Sequence, residues 1–226
     1  MNNQYTSWDL IEKKQFELAC IKAEEEYNAT KDEHYLRNKA IALLNLKKYD
    51  EVLKLALELI EITDGRSDSD YILAGIAKCL LGNYLDSVDI WQAGLSTQYT
   101  DAAGGVAIPS LLYFAAVKLN DINLEKKAIG LLRKKYKSKR VANFPGAIAG
   151  YLLGKINEDE LLNTYASMKE LKTRVLCKSY FYIAVRNLKD GNMLLYFENL
   201  KQCILNQNFL EKEYFLAVGE LDKEGK

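Results

Sequence analysis

Apolar side chains recur at three- and four-residue spacing almost from end to end of this 226-residue chain, and no stretch alternates as a strand would. That period gathers apolar groups on one side of a helix, so it predicts an all-α fold. Only two prolines occur, Pro109 and Pro145, and both fall where the helical pattern fails. Helix starts are marked by Thr6-x-x-Asp9, Thr30-x-x-Glu33, Ser67-x-x-Asp70 and Asn157-x-x-Glu160, which have or approach the capping-box form. Breaks are expected at Gly82-Asn83, Asn120-Asp121, Gly154-Lys155 and Asp190-Gly191-Asn192, where the residues tolerate turn geometry. Thirteen helices follow, near 7–14, 16–28, 33–46, 49–62, 69–81, 84–97, 108–119, 123–137, 145–153, 158–170, 173–188, 192–206 and 209–222.

Such short breaks force neighbouring helices to run antiparallel. The pairs also repeat. Phe16, Tyr49 and Tyr84 each open a second helix, 33 and 35 residues apart, and each is followed three residues later by Ala19, Val52 or Ser87. Seven residues after each aromatic come Ala23, Ala56 and Trp91, the last an exception in size. Ala40 and Gly75 sit nine residues before Tyr49 and Tyr84. Small residues there allow two helices to approach closely, while the aromatic fills the wedge at the turn.

Residues 35–95 resemble two successive tetratricopeptide repeats, most clearly in Tyr71-Ile72-Leu73-Ala74-Gly75, then Leu81-Gly82-Asn83-Tyr84 and Trp91. Residues 7–32 resemble a repeat with a shortened first helix. Residues 177–204, with Tyr180, Ala184, the 190–192 turn and Phe197, are similar to another. The segment 108–170 departs from the motif, with extra residues in the turn at 121–124 and Leu161 where a small residue belongs. The resemblance implies antiparallel helix pairs stacked as a right-handed superhelix, an α-solenoid. The expectation is one domain over 1–226, with its clearest repeats at 33–62, 69–97 and 173–206 and a linker loop at 98–109 that carries Gly104-Gly105.

In that family the first helix of each pair lines a concave groove that holds a peptide or protein segment. Carried onto this chain, Leu36, Ala40 and Leu43 take the core, and His34, Arg37, Asn38, Ile41 and Asn45 face the groove. Ile72, Ile76 and Cys79 take the same face in the next pair, and Phe181, Tyr182 and Val185 near the end. For the last trio, packing against a capping helix at 209–222 is the alternative. Arg37, Asn38 and Asn45 match only part of the family's carboxylate clamp, which disfavours a chaperone-tail ligand.

Formal charge sums to zero but is segregated. Residues 1–100 carry 11 Lys/Arg and 17 Asp/Glu, and residues 101–150 carry 9 and 3. The sharpest local feature is the run Arg133, Lys134, Lys135, Tyr136, Lys137, Ser138, Lys139, Arg140. Three readings stand for it: a solvated helix end that favours its own dipole, a contact for an acidic protein surface, or a contact for RNA or DNA phosphates. A chain without net positive charge makes nucleic acid the least favoured.

Groups for catalysis are sparse. His34 is the only histidine, beside Glu33 and Arg37, and reads as a solvated residue. Adjacent carboxylates in Glu24-Glu25-Glu26 and Glu158-Asp159-Glu160 point in different directions along a helix and do not converge. Cys20, Cys79, Cys177 and Cys203 show no metal-ligand spacing and read as buried free thiols of a reducing cytoplasm. No cofactor or metal site is expected. The opening at 1–6 has neither a basic start nor an apolar core, and the apolar run at 111–117 is far too short to span a bilayer. The leading expectation is a cytoplasmic, non-catalytic scaffold that docks a protein partner in its groove, in concrete form an immunity protein neutralising a bacterial toxin. A secretion chaperone or assembly adaptor is one alternative. An RNA-binding helical repeat using 133–140 is the other.

Overall fold

The computed structural model describes residues 5–206, 209–223 and 225; positions 1–4 of the opening discussed above lie outside them. Among the described residues every regular element is helical, in the order α1 (Ser7–Glu12), α2 (Phe16–Thr30), α3 (Glu33–Asn45), α4 (Tyr49–Ile62), α5 (Asp68–Leu80), α6 (Tyr84–Ala93), α7 (Ala107–Leu119), α8 (Ile122–Tyr136), α9 (Ala147–Leu152), α10 (Glu158–Leu162), α11 (Lys172–Lys189), α12 (Met193–Leu205) and α13 (Lys212–Lys223). Short tighter turns of helix lie at Gly94–Ser96, Lys139–Ala142, Asn163–Ser167 and Lys169–Leu171. The chain divides into two compact units, Met1–Gln98 and Tyr99–Lys226, and the division falls inside the segment expected to link repeats.

Local chemistry explains most boundaries. Thr6 and Asn157 form complete capping boxes with Asp9 and Glu160. Thr30 does not cap α3. Its hydroxyl donates to the Glu26 carbonyl at 2.8 Å, and Asp32 takes the cap by accepting from the His34 amide at 2.9 Å. Ser67 occupies the cap position of α5 without a side-chain bond. Lys14, Lys47 and Asn120 adopt the left-handed region that ends a helix, at φ 59°, 56° and 52°. The single helix expected over 158–170 stops at Leu162. Beyond it Asn163, Thr164 and Ser167 each donate a side-chain bond to a carbonyl three or four residues back, which favours tighter turns over a continuing α-helix.

In unit 1 successive helices pack in chain order, and the first helices α1, α3 and α5 also touch one another. Phe16, Tyr49 and Tyr84 are the first residues of α2, α4 and α6, as their spacing predicts. Ala19, Ala23, Ala40 and Ala56 are fully buried between helices. The third pair replaces two alanines by a matched couple. A Cβ built on Gly75 would lie 2.1 Å from Trp91 Nε1, so the indole occupies the space that Gly75 leaves. Trp91 is fully buried, and its N–H points to the Ile72 carbonyl at 3.4 Å.

Unit 2 is organised differently. Its longest helix, α11, packs against α7, α9, α10, α12 and α13, so one helix serves as the centre of the unit. Phe114 of α7 meets Phe181 of α11 edge-to-face at a ring separation of 5.2 Å, and both are fully buried. The Gly104-Gly105 segment, expected as a flexible linker, is a built turn. Asp101 accepts from the Gly105 amide at 3.1 Å and the Ala107 amide at 2.7 Å, satisfying donors at the start of α7.

Candidate functional site

The residues expected along a groove on the first helices are largely withdrawn from solvent. Asn38 is buried and donates to the Ser7 hydroxyl at 3.1 Å. Ile72 and Ile76 are buried too. These three corrections share a cause: α3 and α5 each pack against helices on both sides and against another first helix, so little of their circumference stays free. Ile41 and Asn45 are half-buried, and Asn45 donates to the Ile41 carbonyl of its own helix at 2.9 Å. Arg37 is committed as well, gripping both carboxylate oxygens of the fully buried Asp70 at 2.8 and 3.0 Å. Thr63 donates to the same carboxylate at 3.1 Å. Burial alone would lower the Arg37 pKa, but Asp70 and Glu33 raise it. Of the expected groove residues only His34 is exposed.

Phe181 and Tyr182, placed in a groove by the sequence, are buried in unit 2. Here the capping alternative describes the geometry, because α13 packs over α11 and α12. It brings Glu211 and Glu213 onto Lys178, at 3.0 and 2.5 Å. Arg174 donates to Glu211, and the Tyr182 hydroxyl to Glu213 at 3.3 Å. Lys178, Glu211 and Glu213 are all buried. Burial disfavours the Lys178 cation, yet the two carboxylates outweigh it and raise its pKa. Burial likewise opposes the charge on Glu211, but Lys178 and Arg174 hold its pKa down to about 2. A lysine kept charged in this way is a poor nucleophile or base, so the cluster locks helices together rather than supplying reactive groups. No sequence motif flagged it, since Lys178 and Glu211 lie 33 residues apart.

The basic run stays at the surface. Arg133, Lys134, Lys137, Lys139 and Arg140 are exposed, whereas Lys135 is half-buried. Lys126 and Lys127, about two turns earlier, share the outer side of α8 opposite the buried Leu124, Ala128 and Leu132. This end of unit 2 therefore presents a cationic helix face.

Exposed apolar side chains make a third candidate for docking. The second helices of unit 1 expose large apolar side chains: Leu18 and Ile21 on α2, Leu57 and Ile62 on α4, and Leu85 on α6, from 42% to 68% accessible. Exposed carboxylates stand among them, Glu17, Glu24 and Glu25 on α2, Glu58 and Glu61 on α4, Asp86 and Asp89 on α6. The cause is local. Only Ala19 and Ala23 of α2 are buried, so half of that helix contributes nothing to the core. Unit 1 carries 11 Lys/Arg against 17 Asp/Glu and unit 2 carries 20 against 14, so the acidic face belongs to an acidic unit. The spacing that found the repeats could also have found this face, because Leu18, Ile21, Leu57 and Leu85 fall off the buried stripe of their helices.

Among the described residues no group of three or more His, Cys, Asp or Glu is placed to hold a metal ion, and no helix is long and apolar enough to cross a membrane. No protein-family model and no curated protein sequence matches this chain.

Proposed function

We propose that the protein is a non-catalytic scaffold of the cytoplasm that binds a protein partner, with unit 1 forming a tetratricopeptide-like array of helix pairs. The observation that carries the reading is that the second helices α2, α4 and α6 together expose five large apolar side chains and seven carboxylates. Apolar anchors supply interface affinity when desolvated, while surrounding charge steers encounter and selects the partner's sign. The partner is therefore a protein surface that is basic and carries apolar anchors of its own. Docking is assigned to the second helices, because the first helices bury most of the residues a groove would need. A toxin domain held by an immunity protein is one concrete form of such a pair.

A photo-reactive residue placed at Leu18, Leu57 or Leu85 tests the assignment in native cells. One protein cross-linked from all three positions, and not from His34, is the expected result. Cross-links from His34 alone would return the site to the first helices.

The cationic face of α8 favours a second reading, in which unit 2 contacts phosphates of a nucleic acid. That contact would weaken steeply as salt rises, whereas an apolar-anchored contact on unit 1 would not.

A further inference from the structure

Unit 2 contains a pocket of about 320 Å³ that neither the ion cluster nor the surfaces above make use of. Its mouth lies between the turns at Lys139–Ala142 and Asn163–Ser167, where Ala142, Asn143 and Ser167 are exposed. Its floor is buried and apolar, formed by Pro145, Ile148, Leu161 and Val175. No charged residue lines it among the described residues.

Three polar side chains at the rim of the pocket bond to backbone carbonyls. Thr164 donates to the Leu161 carbonyl, Ser167 to the Thr164 carbonyl, and the Asn143 amide to the Ala102 carbonyl. Ser179 on α11 also lines the pocket and is 1% exposed, yet its Oγ has no hydrogen-bond partner. A buried helical serine ordinarily returns its hydroxyl to the carbonyl four residues back. Ser110 does so at 2.9 Å to Val106, and Ser87 at 2.9 Å to Asn83. Leaving a buried hydroxyl unmet is costly, and a ligand atom that meets it recovers that cost.

We propose that this pocket binds a neutral, predominantly apolar small molecule whose one polar atom hydrogen-bonds Ser179 Oγ. The uncharged walls exclude an ionic ligand, because a buried charge without a counter-charge is strongly disfavoured. The volume sets the size. An engineered apolar cavity of about 150 Å³ admits benzene, so this one takes a two-ring or medium-chain molecule. Its place beside α11 makes occupancy a way to stiffen the centre of unit 2.

The test uses the full chain, labelled at methyl groups, with 1-naphthol and naphthalene as probes. The expected result is saturable shifts at Ile148, Val175 and Met168, with 1-naphthol bound roughly three- to tenfold more tightly than naphthalene. Ser179→Ala should erase that preference, keep naphthalene binding, and raise the melting temperature of the free protein by removing the unmet hydroxyl. Ala147→Trp, at the half-exposed wall, should abolish both probes while the fold persists. No saturable shift with either probe, an unchanged preference in Ser179→Ala, or a lowered melting temperature in that variant would each overturn the proposal.

Discussion

The two units bury their helices by different means. Unit 1 works by steric repetition: an aromatic residue opens each second helix, small residues sit where helices cross, and each helix mainly touches its chain neighbours. Unit 2 works by convergence on α11, and the cover α13 brings is fixed by an ion cluster of Lys178, Arg174, Glu211 and Glu213. Steric contacts between neighbours are local and tolerate a free outer face. Convergence on one helix makes the unit depend on a few long-range pairs.

The largest effect should therefore come from breaking the cluster. Lys178→Met leaves two buried carboxylates facing each other without their shared cation, which costs on the order of 3–5 kcal/mol. Denaturant unfolding, with hydrogen exchange read separately in α11 and α5, checks it. Protection should fall in α11 and hold in α5. Equal loss in both helices would show that the units do not differ in this respect.

Acid should separate the units for the same reason. The Glu211 pKa is held at about 2, below its ordinary value of 4.5. A depressed carboxylate contributes stability that is fully present above the ordinary value and is lost as pH falls through the folded one. Unit 2 should accordingly lose protection between about pH 4.5 and 2, more steeply than Glu211→Gln protein does. At the alkaline end the raised Lys178 pKa means its contribution is complete below 10.5 and is lost only above it. Parallel acid profiles for Glu211→Gln and unaltered protein would contradict the role given to the cluster.

In unit 1 the matched couple Gly75 and Trp91 is the sharpest test. Gly75→Ala forces a methyl to within 2.1 Å of the indole nitrogen, an overpacking cost of about 1–3 kcal/mol. In a Trp91→Ala background that cost should vanish, because the couple then matches the alanines at 40 and 56 in the preceding pair. A cost that persists in the double variant would mean the third pair does not follow the geometry of the second.

These elements differ in how far the sequence announced them. The starts at Phe16, Tyr49 and Tyr84 and the left-handed stop at Asn120 were legible, because each depends on residues within one or two turns. Two failures were of a different kind. The break after Leu162 turns on side chains competing for their own backbone carbonyls, which apolar spacing does not register. The burial of Ile76 depends on which helices pack around it, and for Phe181 and Tyr182 the sequence left a groove and a capping helix both open, because α13 lies about thirty residues from the residues it covers. The exposed apolar residues of α2, Leu18 and Ile21, were legible from spacing, because they fall off the stripe that carries Ala19 and Ala23.

The smallest stability effect belongs to that outer face. Replacing Leu18 and Ile21 by serine should change stability by no more than about 0.5 kcal/mol, since both side chains are more than half accessible. Binding is where these changes should tell. The most direct measurement is affinity purification of the tagged full chain from its native cells at low and high salt, with unaltered protein and the Leu18→Ser/Ile21→Ser variant side by side. One dominant basic protein should survive high salt with the unaltered chain and be lost with the variant at both. Equal recovery by the two chains, or recovery mainly of nucleic acid that washes away at high salt, would contradict that expectation.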